Sequence, residues 1–191
     1  LEIVDGGTME GINIDGIVMY NTKAPIYVRL GNRARKYADF APTPGHGIMR
    51  NINISNIVAY GSENLTSSIT GVPGSCIENI SLNNIQLYHQ GGVAEADYFK
   101  TAAKVPEMEK GYPQPDFWGK CLPASALFIR HAKNVMISNM NIAPQTTDPR
   151  SPIVADDVDG LFVKNVISSE KFTAKKFYVG TNVKNAKIDN Q

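Results

Sequence analysis

A seven-residue pattern recurs along the chain: a small polar residue, then apolar, any, apolar, any, Asn, apolar. It reads Asn51-Ile52-Asn53-Ile54-Ser55-Asn56-Ile57 in its clearest form and recurs at 79–85, 134–140, 160–166 and 185–190; the earliest copy, 11–17, has Gly16 in place of Asn. Two apolar residues separated by one bury a single face of a strand. The Asn suits a tight, often left-handed corner, and the apolar residue after it begins a new strand. The apolar pairs start at 12, 52, 80, 135, 161 and 186, so the closest copies lie 25 or 26 residues apart and the wider gaps hold insertions. This spacing predicts an all-β chain: a right-handed, single-stranded parallel β-helix of about six coils, with 1–191 as one domain. Aligned corners would let Asn amides bond from coil to coil. A leucine-rich repeat has a similar period, but it needs Leu where this chain, with 19 Ile and 14 Val against 8 Leu, uses β-branched residues.

The excess residues fall in three insertions. Loop 31–46 carries Asn32, Arg33, Arg35 and Lys36; segment 60–76 contains Gly71-Val72-Pro73-Gly74; and 89–124 holds a short helix expected over 94–104, followed by Tyr112, Phe117 and Trp118. Insertions on a solenoid tend to gather on its binding face. The three aromatics either stack on sugar rings or cover the core beneath a long loop. The leading segment Leu1-Glu2-Ile3-Val4 reads as the middle of a strand. The expectation is therefore a C-terminal portion of a longer domain, with the preceding coils as its natural partner. Expressed alone, such a piece is expected to self-associate and to lack turnover.

Several classes are excluded by composition. Nineteen basic against eighteen acidic residues leave a net charge of +1, without the basic footprint that nucleic acid requires. No apolar run approaches the roughly 20 residues of a membrane span. Two cysteines, Cys76 and Cys121, make no disulfide framework, and His46, His89 and His131 are not spaced as a metal site. No cofactor is expected.

Longer strings carry a family resemblance. Val4-Asp5-Gly6-Gly7-Thr8, Ala24-Pro25-Ile26-Tyr27-Val28-Arg29-Leu30-Gly31-Asn32-Arg33, Ser67-Ser68-Ile69-Thr70-Gly71-Val72-Pro73-Gly74, Ile129-Arg130-His131 and Asp156-Asp157-Val158-Asp159-Gly160 together resemble the C-terminal part of family 28 glycoside hydrolases. These are the polygalacturonase-like pectin enzymes, and the bacterial branch is the most similar. The resemblance implies an inverting hydrolase of pectin-like polymers, of polygalacturonase or rhamnogalacturonan hydrolase type, in an extracellular or periplasmic setting. It also implies that the catalytic aspartates lie upstream of Leu1, on coils that precede the Asp-Gly-Gly segment. Glu2 stands where the family's carboxylate-binding motif has Lys, and the Asn-Thr-Asp motif is absent. Gly45-His46-Gly47 and Asp156-Asp157 match other family motifs in letters but not in position. The substrate-binding residues implied are Arg29, Asn32 and Arg33, since Arg offers a planar, bidentate partner to a uronate carboxylate. The competing function is a non-catalytic β-helical glycan-binding or adhesin module.

Overall fold

The computed structural model describes residues 1–189. It is all-β, and every pairing between its named strands is parallel. In chain order the strands are β1 (Glu2–Ile3), β2 (Thr8–Tyr20), β3 (Tyr27–Leu30), β4 (Ile48–Ser62), β5 (Ser67–Thr70), β6 (Ile77–His89), β7 (Ala124–Pro144), β8 (Ser151–Ser168) and β9 (Tyr178–Asp189). Two ladders run side by side. One joins β1, β3 and β5 to the first part of β7, and the other joins β2, β4 and β6 to its second part. Strands β8 and β9 continue both, giving a parallel β-helix-like stack.

The register follows the repeat. Ile12, Ile52, Ile80, Val135, Leu161 and Ala186 are successive partners, and so are Ile14, Ile54, Leu82, Ile137, Val163 and Ile188. From Ile12 and Ile14 on β2 to Leu161 and Val163 on β8 these rows point inward and form the continuous apolar core, while Ala186 on β9 is exposed. A one-residue slip would turn a whole row outward, so the pattern fixes the register.

The corners fall where the sequence places them, with a second bend at the head of each copy. The strands run through the repeat, and each bend is a single left-handed residue at either end of the copy. Gly11 and Gly16, Asn51 and Asn56, Asn79 and Asn84, Asn134 and Asn139, and Gly160 and Asn165 all have positive φ. Asn is among the few non-glycine residues that visit this region at modest cost. Aligned corners then bond layer to layer. Asn84 Nδ2 donates to Asn56 Oδ1 at 2.7 Å, and Asn165 Nδ2 to Asn139 Oδ1 at 3.1 Å. Along the other bend Asn79 Nδ2 donates to Asn51 Oδ1 at 2.9 Å, and Asn134 Nδ2 to Asn79 Oδ1 at 3.0 Å. Asn190, the last corner of the repeat, lies outside the described residues.

The insertions differ from expectation in two respects. Segment 60–76 contains β5, a strand of the stack. The helix expected over 94–104 is two separate 3-10 turns, Glu95–Asp97 and Ala102–Lys104, neither with a side-chain cap. Three-residue turns suit a stretch closed soon after by Pro106. Cys76 and Cys121 are both free thiols. Among the described residues no helix is long and apolar enough to cross a membrane.

One charged pair is wholly interior. Arg150 and Asp148 are both 0 % exposed and paired at 2.8 Å, and Arg150 Nη1 also donates to the carbonyls of Asn64 and Leu122. A guanidinium thus anchors two insertions to β8. Beside it lies His89, buried, with Nδ1 4.0 Å from Asp148 Oδ2 and neither ring nitrogen hydrogen-bonded. Burial first, and then the Arg150 charge, pushes its imidazole down to about 4, against the opposing pull of Asp148.

Candidate functional site

One row of the first ladder collects the charged residues of the site. Glu2, Arg29, Thr70, Arg130, Asp156 and Thr181 are successive partners on β1, β3, β5, β7, β8 and β9. The residues just past this row, His131, Asp157 and Asn182, are left-handed corners with φ near +50°. Gly71 occupies the corresponding bend after β5. A Cβ there would lie 2.5 Å from the carbonyl oxygen of His131, so only glycine lets these layers approach.

Insertion 89–124 folds back over the row. Arg29 is 2 % exposed, and its guanidinium donates to the carbonyls of Gly71 at 3.0 Å, Glu107 at 2.8 Å and Met108 at 3.2 Å. Phe117 packs its ring 5.4 Å from the same guanidinium. Arg130 Nη1 donates to the Val105 carbonyl at 2.8 Å, Nη2 pairs with Glu107 Oε1 at 2.6 Å, and Nε lies 3.2 Å from Asp156 Oδ2. His131 sits between two carboxylates, with Nδ1 2.7 Å from Asp157 Oδ2 and Nε2 3.0 Å from Glu107 Oε2. Asp156-Asp157, a match in letters alone, is thus the partner of Arg130-His131. Gly45-His46-Gly47 lies in the loop that leads directly into β4, with His46 exposed.

The three residues expected to bind substrate stand in different environments. Arg29 is interior and committed to carbonyls, as described. Asn32 donates its backbone N–H to the Glu109 carbonyl at 2.8 Å, while its Oδ1 is buried without a partner. Arg33 is partly exposed and grips Asp5 with Nε at 3.0 Å and with Nη2. This bidentate contact holds the Asp5 carboxyl down to about 2, with help from the Arg35 backbone N–H at 2.9 Å. Gly31 permits the crossing, since a Cβ there would meet Val4 Cγ1 at 2.8 Å and the Glu109 carbonyl at 3.3 Å.

The aromatics divide. Trp118 is buried with Val105, Leu122, Phe128 and Val154 in a small second core, with Phe117 packed against it. Tyr112 is 69 % exposed, and its ring lies 5.6 Å from the Arg33 guanidinium. Beyond Asp5 a pocket of about 350 Å³ is lined by Asp5, Arg35, Lys36, Tyr37, Pro42 and Pro44. Tyr37 stands edge to face with Phe40 beside it, and the two rings are 85 % and 84 % exposed. With Asp5 neutralised by Arg33, the pocket presents Arg35 and Lys36 beside exposed rings, a surface suited to a ring-shaped anion.

Sequence reasoning missed Tyr37, Phe40 and Glu107. The first two had a signal, aromatic residues interleaved with Arg33, Arg35 and Lys36. Glu107 stands in a string, Val105-Pro106-Glu107, that also belongs to the family resemblance, but nothing in it names partners that lie 23 and 24 residues further along. Comparison with family models, with curated proteins and with solved structures returned no match to this chain.

Proposed function

We propose that residues 1–191 form the substrate-binding wall of a polysaccharide hydrolase that cleaves O-glycosidic bonds in pectin-like, galacturonate-containing polymers. The reading rests on the resemblance to family 28 glycoside hydrolases. The observation that carries it is the basic, aromatic-rimmed pocket of loop 31–46, joined through Asp5 to Arg33 and Tyr112. A uronate ring stacks on an exposed tyrosine while its carboxylate meets arginine or lysine. In the same reading the stack is a right-handed β-helix of about six coils, working outside the cell or in the periplasm. The aspartates that break the bond stand on preceding coils, one protonating the leaving oxygen and the other activating water from roughly 6.5–9.5 Å away.

Reducing-sugar release by the full-length gene product on polygalacturonate and on rhamnogalacturonan tests the reading. Turnover on at least one polymer is expected, and Tyr112→Ala should weaken substrate affinity about tenfold through loss of ring stacking. Retained affinity without any turnover would instead assign the chain to the glycan-binding module class. Neither affinity nor turnover would sink both.

A further inference from the structure

Glu107 stands where three segments meet. Its carboxylate is shared by two consecutive residues of β7, Oε1 taking Arg130 Nη2 at 2.6 Å and Oε2 taking His131 Nε2 at 3.0 Å. Its carbonyl accepts Arg29 Nη2 from β3 at 2.8 Å. A residue held through both its side chain and its main chain has its place and its rotation fixed. Two residues later the Glu109 carbonyl takes the Asn32 N–H, and five residues later the Tyr112 ring lies against Arg33. The path from Glu107 to the exposed platform is therefore short and bonded at each end.

We propose that Glu107 is a positioning residue for uronate binding: by bridging Arg130 and His131 it sets the segment that places Tyr112 beside Arg33. This role rests on the reading of the site as a uronate platform. Glu107 itself touches no sugar in this arrangement and acts through the backbone it fixes. Arg130 and His131 do not depend on it alone, since Asp156 lies 3.2 Å from Arg130 Nε and Asp157 bonds His131 Nδ1. Loss of the Glu107 carboxylate therefore loosens the insertion while leaving β7 and β8 with their own contacts. Trp118 reports the segment directly, because its Nε1 donates to the Pro106 carbonyl at 3.1 Å and it is the one tryptophan of the 191 residues.

The experiment compares Glu107→Gln and Glu107→Ala with the wild type in two measurements. In the full-length gene product acting on polygalacturonate, Glu107→Ala should raise KM about tenfold and lower kcat far less, the mark of lost binding geometry. Glu107→Gln keeps an acceptor for Arg130 and should fall between. In residues 1–191 carrying the same substitutions, diluted below the concentration at which they self-associate, Trp118 emission should shift to the red as the segment loosens. An active wild type whose KM is unmoved by Glu107→Ala overturns the positioning role and leaves the functional reading standing. So does a KM change without any change at Trp118. A wild type that neither binds nor cleaves the polymer overturns the functional reading, and this proposal with it.

Discussion

His89 shows how a single buried side chain ties this fold to pH. Its imidazole is held near 4 in the folded chain, against 6.5 when exposed. The unfolded chain therefore binds the extra proton first. The contribution of His89 to stability is complete above about 6.5, declines as pH falls towards about 4, and is gone below that. The difference is on the order of 1–3 kcal/mol, since a tenfold change in proton affinity is worth about 1.4 kcal/mol. Urea denaturation across that window should show the decline, and His89→Leu should flatten it. Equal slopes in the two proteins would refute the assignment. None of this is legible in the sequence, where His89 is simply the end of an apolar run. Its neighbours Asp148 and Arg150 lie about sixty residues on and meet it only in the folded chain. Arg29 illustrates the same limit. Its residue type suggests a ligand for carboxylate, but the carbonyls of Gly71, Glu107 and Met108, which hold it inside, come from remote loops.

At the scale of the strand, the repeat carries far more information. The apolar pairs predict which residues stack, and the register agrees row by row, because a period of two leaves no other way to bury them. What the pattern hides is the second bend of each copy, for a leading Asn or Gly looks like any loop residue until its φ is known. Asn84 separates two contributions to such a bend. It has φ +55° and donates to Asn56. Asn84→Gly keeps the backbone geometry and removes only the amide bond, so its expected cost is about 0.5–1.5 kcal/mol. Asn84→Ala should cost about 1–2 kcal/mol more, from forcing a Cβ into the left-handed region. Thermal unfolding of the two variants measures the gap, and equal destabilisation would show that the corner tolerates alanine.

Taken as one object, the molecule has a sheltered interior and a bare end. β2 pairs with β4 alone, and Ile17 on it is 40 % exposed at the mouth of a concavity lined by Leu1, Ile14, Met19 and Val28. An edge of this kind invites pairing with another chain. Residues 1–191 on their own should self-associate with rising concentration, and Ile17→Lys should weaken that association about tenfold, close to 1.4 kcal/mol. Sedimentation velocity would decide it, and a monomer at all concentrations would exclude this face as the contact. The repeat makes the stacked core legible in the sequence, whereas the tethering of 89–124 across Arg29 and Arg130 has no counterpart there.

That tethering bears on how such proteins diversify. Ile80 and Val135 remain partners with the entire insertion between them, just as Ile52 and Ile80 do across a much shorter span. The length of an arm is therefore uncoupled from the stacking beneath it, because closing a longer loop costs little extra. Descendants of a common stack can exchange arms, and with them their ligands, while the ladder of isoleucines stays as it was.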